Sequence, residues 1–184
     1  MGRAPVQLAA ARLASARAEL QIPYAICGGL AVAAHGHVRF TEDVDILLTA
    51  AGLAQFKQAR LGRGWVERLP GSRGLRDAIQ DVRIDVLLTG EYPGDGKPGP
   101  VRFPDPGDAA IASPGVSILK LTRLVELKLA SGLTAPARLQ DFADVIALIR
   151  VNRLPREYVA ELDGSVRAKY AELWDLAQTV REEP

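Results

Sequence analysis

Apolar residues recur at helical spacing over residues 5–20 and predict a first helix there. Pro23 ends this helix, because proline lacks a backbone donor and clashes with the preceding turn. A short apolar strand, YAIC, and the pair Gly28-Gly29 come next, and LAVAAHG predicts a short helix that ends at Gly36. Strands are then predicted at VDILLT, GWVERL, LRDAIQ and VRIDVLLTG, with one helix at AAGLAQFKQARLG.

After the last of these strands the pattern changes from mixed to helical. A Gly- and Pro-rich loop, EYPGDGKPGPVRFPDPGD, precedes VSILKLTRLVELKLAS, which begins extended and becomes helical near Leu121. Further helices are predicted at APARLQDFADVIALIRVN, PREYVAEL and SVRAKYAELWDLAQTV. This order predicts an α+β fold with a mixed sheet flanked by helices. Residues 1–120 would form that core with its N-terminal helix, and residues 121–184 a helical part packed on it.

Composition narrows the class of protein only slightly. The chain has 184 residues, 48% of them hydrophobic, which suits one medium domain, alone or with a helical appendage. The 23 Lys and Arg and 22 Asp and Glu residues leave a net charge of +1, which neither demands nor excludes a nucleic-acid partner. The single cysteine, Cys27, excludes an intrachain disulfide and a zinc cluster of cysteines, and it fits a reducing cytoplasm.

The first helix is amphipathic and lacks the uninterrupted apolar core of a signal peptide. A transit peptide is the alternative interpretation of this Ala-rich, Arg-containing segment, but Glu19 and the strand that follows favour an ordinary helix. No run of about 18 apolar residues occurs, so we expect no membrane span and a cytoplasmic location.

Three acids lie in two of the predicted strands. Residues two apart in a strand share a face, so Asp43 and Asp45 lie together while Val44 faces the opposite side. In VRIDVLL a third acid, Asp85, alternates with apolar residues in the same way, and pairing of the two strands would bring it beside the first two. Three such carboxylates would repel one another, and two Mg²⁺ ions would neutralise them. The alternative is a solvated sheet face, since acids two apart are common on half-exposed strands.

The pair Gly28-Gly29 separates a strand from the start of a helix. Residues without a Cβ let a ligand approach the backbone, and a helix start offers unpaired N–H groups, which together suit a nucleoside triphosphate. Arg39 and Thr41 precede the acids and are further candidate phosphate ligands. The alternative for Gly28-Gly29 is a plain tight turn. Arg39 would then be a solvated cation, and Thr41 would cap a turn.

These motifs, GG, then RFTEDVDILL, then VRIDVLL, resemble the nucleotidyltransferase superfamily that includes DNA polymerase β, over about residues 24–88. The resemblance implies a nucleotidyltransferase-like fold in which Asp43 and Asp45 bind both metal and triphosphate. It also implies that Asp85 binds the second metal and helps to deprotonate the attacking hydroxyl, while Gly28 and Gly29 cradle the phosphates.

The helical part adds a second group of polar residues. Lys128 shares one stripe with Leu121, Leu124 and Val125, so either its ammonium reaches water along a buried stem or it points into the site. In the next helix Arg138 and Asp141 are one turn apart, which predicts a surface ion pair worth under about 1 kcal/mol. The core face of that helix is predicted to consist of five apolar residues: Leu139, Phe142, Ala143, Ile146 and Ile149. Asp144 is predicted to lie off this face.

This second block is similar to the AbiEii-type branch of minimal nucleotidyltransferases, which includes toxins of bacterial toxin–antitoxin pairs. The matching residues are Lys128, Arg138, Asp141 and Asp144, and with the first block the resemblance spans about residues 22–150. It implies that Lys128 contacts the nucleotide phosphates, that Asp141 with Arg138 supports the nucleotide site, and that an antitoxin protein is a partner.

The function expected from the sequence is Mg²⁺-dependent transfer of a nucleoside monophosphate from an NTP, such as ATP, to a hydroxyl, with release of pyrophosphate. The acceptor is an RNA end, a protein or a small molecule. A loop at residues 91–100 and five arginines offer an acceptor surface or, equally, a solvated edge: Arg60, Arg63, Arg68, Arg73 and Arg76. The alternatives are a non-catalytic nucleotide-binding or partner-binding module of the same fold and an aminoglycoside-type small-molecule transferase.

Overall fold

The computed structural model describes residues 4–179, which form two compact units. The first unit contains the described residues up to Ala31, together with Arg39–Gly90 and Pro104–Lys120. The second contains Val32–Val38, Glu91–Phe103 and the described residues from Leu121 onward. The second unit thus includes two short segments that the division at residue 120 assigned to the first part.

The first unit contains every strand found in the described residues. Its elements in chain order are α1 (Pro5–Glu19), β1 (Ala25–Ile26), the start of α2 (Gly28–Ala34), β2 (Asp43–Leu48), α3 (Ala50–Arg60), β3 (Trp65–Glu67), β4 (Leu75–Asp77), β5 (Val82–Leu88), α4 (Pro106–Ala109), β6 (Ala110–Ser113) and β7 (Val116–Leu119).

The strands form one seven-stranded sheet in the order β3-β4-β5-β2-β1-β7-β6. β2 pairs with β5 and β1 with β7 in parallel, and the other neighbours are antiparallel. The sheet is therefore mixed and open, with β3 and β6 as its edges. The predicted α+β fold, a mixed sheet flanked by helices and followed in sequence by a helical part, is confirmed.

Alternation along β2 and β5 assigns one face of each strand to the core. Val44 and Ile46 of β2 and Ile84 of β5 are buried in one cluster, in which Leu13 of α1 and Phe56 of α3 also lie. Successive side chains of a strand point to opposite faces. The acids that alternate with these apolar residues therefore lie on the other face of the sheet.

One cation is buried in this unit. Arg17 is fully buried, with its guanidinium 3.9 Å from the centre of the Phe56 ring, and its Nη1 donates to the carbonyl of Gly52 at 3.2 Å. Its Nε and Nη2 have no hydrogen-bond partner among the described residues. Burial lowers the pKa of Arg17 from its usual range to about 9, because desolvation disfavours the charged form.

Two local predictions in this unit need correction. α2 begins at Gly28 itself, so the glycine pair forms the first turn of the helix and does not precede it. The loop predicted over residues 91–108 ends earlier, because Pro106–Ala109 forms the short helix α4. The edge strand β6 (Ala110–Ser113) follows it, in a segment for which the sequence predicted no element. Asp105 accepts a hydrogen bond from the backbone N–H of Gly107 at 2.8 Å and so caps α4. A helix of four residues is too short to show an apolar periodicity in the sequence.

The helical elements of the second unit are α5 (Leu121–Thr134), α6 (Leu139–Val151), two 3₁₀ helices (Arg156–Glu161 and Gly164–Val166) and α7 (Arg167–Thr179). The predicted α-helix at PREYVAEL is wrong, since this segment is 3₁₀. It is held at its start, where the carbonyl of Pro155 accepts from the Tyr158 N–H and from the Tyr170 hydroxyl. Val180, the last residue of the final predicted helix, lies outside the described residues.

The core face predicted for α6 is right only in part. Ile149 is buried as predicted and Phe142 and Ile146 are half-buried, but Leu139 and Ala143 are exposed. Asp141, predicted in a surface pair, and Asp144, predicted off the core face, are buried on a stripe that continues with Val145 and Leu148. The buried face of α6 is rotated relative to the predicted one because Lys128 of α5 forms ion pairs with both acids. None of the helices within residues 4–179 is both long and apolar enough to span a bilayer.

Candidate active site

The pairing of β2 with β5 brings two of the predicted acids side by side. In this parallel ladder Asp45 is the direct partner of Asp85, and Asp43 is the partner of Arg83. Neighbouring strands lie about 4.8 Å apart, so the Asp45 and Asp85 side chains leave adjacent positions on the same face. Asp43 follows on that face one pleat away, and all three acids are partly exposed. The register thus gathers the three predicted carboxylates on one patch of the sheet.

Arginines accompany two of these carboxylates. Asp85 accepts a hydrogen bond from Nη1 of Arg68, and both side chains are 39% exposed. Arg83 Nη2 lies 3.6 Å from Asp43 Oδ2, and the hydroxyl of Thr41 donates to Asp43 Oδ1 at 3.3 Å. The positive charge beside the acids therefore comes from the protein itself. Arg83 lies two residues before Asp85 in β5 and therefore on the same face. The sequence offered Arg68 only as part of an acceptor surface, whereas the β3–β4 hairpin brings it to Asp85 from 17 positions away.

Gly28 lies against the carboxylate of Asp45. Its φ is +53°, and a Cβ built on it would lie 1.7 Å from Oδ2 of Asp45, so any other residue would be strained here and would displace this carboxylate. The backbone N–H of Cys27 donates to the carbonyl of Asp45 at 2.8 Å and fixes this approach. The start of α2 is therefore held directly beside the acidic patch.

The other predicted nucleotide-binding residues of the first unit meet at the same place. A Cβ on Gly29 would lie 3.0 Å from the hydroxyl of Thr41 and 3.3 Å from Nη1 of Arg39. The Arg39 guanidinium also donates to the carbonyl of Phe40 at 3.1 Å. The structure thus brings Gly28, Gly29, Arg39 and Thr41 together with the acids.

The donor set of the patch suits a hard divalent cation. Within residues 4–179 no three His, Cys, Asp or Glu side chains are grouped so that they could hold a metal ion by themselves. Mg²⁺ does not require three such ligands, because it is usually held by one or two carboxylates together with water and substrate phosphates. Asp45 and Asp85 at adjacent positions, with Asp43 on the same face, fit this requirement, and the Asp45 carboxylate fills the space where a Cβ of residue 28 would lie.

The remaining predicted residues form a separate cluster in the second unit. Nζ of Lys128 lies 2.9 Å from Asp141 Oδ1 and 2.7 Å from Asp144 Oδ2, and the Lys128 side chain is 8% exposed. The ammonium therefore does not reach water along the helix surface; it is enclosed between two carboxylates. Arg138 pairs with Asp141 at 3.3 Å as predicted, but Asp141 is buried and only Arg138 is exposed.

No protein-family profile matches the chain, and no curated protein matches it in sequence. Solved structures do match. The crystal structure of ANT(2″)-Ia in complex with adenylyl-2″-tobramycin is 14% identical, covers 91% of this chain and 97% of that one, and has a TM-score of 0.57. The solution structure of the same antibiotic-resistance factor is 18% identical, covers 95% and 97%, and has a TM-score of 0.58. A candidate nucleotidyltransferase from H. pylori is 14% identical, with coverages of 97% and 95% and a TM-score of 0.51. The chain has the nucleotidyltransferase fold.

Proposed function

We propose that this chain is a Mg²⁺-dependent nucleotidyltransferase, which moves a nucleoside monophosphate from an NTP to a hydroxyl and releases pyrophosphate. The observation that carries the proposal is the position of Asp45. Its carboxylate lies beside Asp85 across the β2–β5 register and against Gly28 at the start of α2. The carboxylate proposed to bind the metal thus adjoins the start of the helix proposed to bind the phosphates, in a fold shared with a structure that holds an adenylylated product.

Each residue of the patch has a part in this reaction. Asp45 and Asp85, with Asp43, would hold Mg²⁺, which supplies neutralising charge to the triphosphate. Gly28 and Gly29 would offer their backbone N–H groups, at the start of α2, to the phosphates. Arg39, whose guanidinium lies beside Gly29, offsets the negative charge that moves onto the departing pyrophosphate.

The bond changes balance without any further reactant. The oxygen of the acceptor hydroxyl forms a bond to the α-phosphorus of the NTP. The bond from that phosphorus to the oxygen bridging to the β-phosphate breaks, and its electron pair leaves with pyrophosphate. The proton of the hydroxyl passes to the carboxylate of Asp85, which is the general base of the proposal.

The test is release of pyrophosphate by the full chain with Mg²⁺ and each NTP, offered an oligoribonucleotide, a protein and an aminoglycoside as acceptors. Asp45→Asn should lower the rate by at least about 100-fold, the loss typical of one removed electrostatic contact in a transition state. Asp81→Asn is the matched control, since Asp81 is an exposed acid of the same unit that pairs with Arg76. Full activity of Asp45→Asn would contradict the proposal.

A nucleotide titration with and without Mg²⁺ separates transfer from binding alone. Binding that requires Mg²⁺ and is followed by pyrophosphate release supports an enzyme. Binding with no release for any acceptor class would instead assign the chain to the alternative, a nucleotide-binding module.

The finer proposal, a toxin role, rests on the resemblance of Lys128, Arg138, Asp141 and Asp144 to the AbiEii-type branch. There Lys128 would contact the phosphates of the nucleotide. Expression of the chain should then arrest growth, Asp43→Ala should restore it, and co-expression of a small protein encoded beside the chain should also restore it. Normal growth at a verified level of folded chain would remove the toxin role and leave the transferase proposal standing.

A further inference from the structure

A cavity of about 440 Å³ opens beside Asp85 on the face of the sheet that carries the acids. It lies between the end of β5 and the turn that joins β3 to β4, and its lining comprises Arg68, Leu69, Ser72, Arg73, Gly74, Asp85, Val86 and Leu87. Ligand pockets commonly measure about 300–1,000 Å³, so this volume admits a group the size of a nucleotide. The cavity adjoins the residue that the proposed reaction uses as its base.

The charges in this cavity favour an anionic occupant. Two guanidinium groups, those of Arg68 and Arg73, line it with one carboxylate, that of Asp85. The formal charges of these three lining side chains sum to +1. Guanidinium groups bind phosphate through paired N–H donors, whereas a polycation would meet like charges here.

The turn that carries these arginines is held in place by its own hydrogen bonds. Lys57 Nζ pairs with Glu67 Oε1 at 2.7 Å and donates to the carbonyl of Ser72 at 2.6 Å. The other oxygen of Glu67 accepts from the backbone N–H of Gly71 at 2.7 Å. Both ends of the turn are thus tied to α3 through Lys57. A positioned turn loses little freedom when it binds a ligand, which favours a specific contact over a diffuse one.

The five arginines that the sequence offered as an acceptor surface do not act as one set. Arg60 and Arg63 line a different cavity, with α1 and Trp65. Arg76 pairs with Asp81 and does not line the cavity beside Asp85. Only Arg68 and Arg73 of the five lie at that cavity.

We infer that this cavity is the acceptor site, and that it takes an acceptor with a phosphate group next to its reactive hydroxyl, as at the end of an RNA. This inference rests on the proposed function and adds the class of acceptor. Arg73 binds the acceptor phosphate, and Arg68 joins it when a metal ion takes its place at Asp85. A polycationic aminoglycoside is disfavoured by the same two residues.

The test measures acceptor binding without catalysis. A short 5′-fluorescein-labelled oligoribonucleotide with a free 3′-hydroxyl is titrated in EDTA, and fluorescence anisotropy is followed at several salt concentrations. Arg73→Ala should weaken binding about tenfold and reduce the slope of log affinity against log salt by about 0.7, as loss of one phosphate contact to a single strand does. Arg76→Ala, the matched control, should change the affinity by less than about twofold.

Competition identifies the source of the phosphate. If a ribonucleoside 5′-monophosphate displaces the labelled RNA, a single phosphate is sufficient for binding. If only unlabelled RNA displaces it, the site binds a phosphodiester chain. Equal losses in Arg73→Ala and Arg76→Ala would overturn the inference, and so would the absence of RNA binding. Tobramycin that binds the native chain and Arg73→Ala alike would overturn it as well.

Failure of this inference is distinguishable from failure of the proposed function. Mg²⁺–NTP binding and pyrophosphate release are measured on the same proteins. If Mg²⁺–NTP binding and pyrophosphate release persist while Arg73→Ala leaves RNA binding unchanged, only the acceptor assignment fails. If RNA binding depends on Arg73 but no pyrophosphate is released with any acceptor, the transferase proposal fails and the cavity remains a phosphate-binding site.

Discussion

Lys128 is the shared counter-ion of two buried carboxylates, and its replacement by methionine is the most informative perturbation of the second unit. Lys128→Met keeps an unbranched side chain and removes only the charge. Asp144, whose side chain is 0% exposed, then keeps Gln140 as a neutral donor at 2.9 Å. Asp141 keeps Arg138, whose side chain is 57% exposed. Two negative charges would remain buried beside each other.

The expected loss follows from known buried pairs. Removing one partner of a buried ion pair costs about 3–5 kcal/mol, because the other charge is left in a medium of low polarity. The exposed Arg138 contributes under about 1 kcal/mol to its pair and offsets little of this. We therefore expect Lys128→Met to lose about 3–4 kcal/mol at pH 8, a large part of the 5–15 kcal/mol that stabilises a typical domain.

The loss should depend on pH in a definite direction. Two adjacent buried carboxylates favour uptake of a proton by one of them. Acidification favours this uptake, so the loss in Lys128→Met relative to the native chain should be smaller at pH 5.5 than at pH 8.

Urea unfolding followed by circular dichroism at pH 5.5 and pH 8 measures these differences. Lys97→Met is the control, because Lys97 is an exposed lysine of the same unit paired only with Asp95, and it should change stability by less than about 0.5 kcal/mol. The double variant Lys128→Met/Asp144→Asn should be more stable than Lys128→Met alone, since one of the two stranded charges is gone. A loss under about 1 kcal/mol in Lys128→Met, or an equal loss at both pH values, would refute the reasoning.

Two further predictions concern the first unit. Gly28→Ala should weaken Mg²⁺–nucleotide binding at least about tenfold in a calorimetric titration, because its Cβ would strike Asp45 as well as strain the backbone. Gly62→Ala shares the positive φ, at +76°, but meets nothing within 4 Å, and it should leave binding unchanged; equal effects would show that strain alone is responsible. Arg17→Met should be more stable than the native chain at pH 8, because it removes a buried cation whose pKa burial lowers to about 9. Above pH 9 the unfolded native chain binds more protons than the folded one, because the pKa of an exposed arginine is higher than that of the buried Arg17, so the native chain gains stability as pH rises. The gap between Arg17→Met and the native chain should therefore narrow by about 1.4 kcal/mol from pH 8 to pH 10 in urea unfolding, and parallel curves would contradict it.

The faces of β2 and β5 were predictable from sequence because strand alternation is a local property. Val44 and Ile84 mark the core side, and the acids between such residues must face the other way. The register is not local. Whether Asp43 or Asp45 lies opposite Asp85 depends on the pairing of strands about forty residues apart. The contact between Arg68 and Asp85 likewise depends on where the complete sheet places the β3–β4 hairpin.

The rotation of α6 was not predictable from that helix alone. Apolar periodicity over Leu139, Phe142 and Ala143 favours one face, because it counts every acid as a surface residue. Asp141 and Asp144 are buried only because a lysine from the preceding helix neutralises them. A pattern read along one helix has no information about a counter-ion supplied by another.

The β3–β4 hairpin stands at one edge of the sheet, and β5 separates it from the strand that carries Asp43 and Asp45. In the proposed reaction the acids of β2 act on the donor, and this hairpin acts on the acceptor. Exchange of the turn at residues 68–74 would then change the acceptor without changing the β2–β5 register, provided that Lys57 and Glu67 continue to anchor it and that Arg68 is kept beside Asp85. By contrast, a slip of one residue in β5 would turn Asp85 into the core. The proposed chemistry thus depends on the register of two interior strands, and the proposed choice of acceptor depends on one turn near the edge of the sheet.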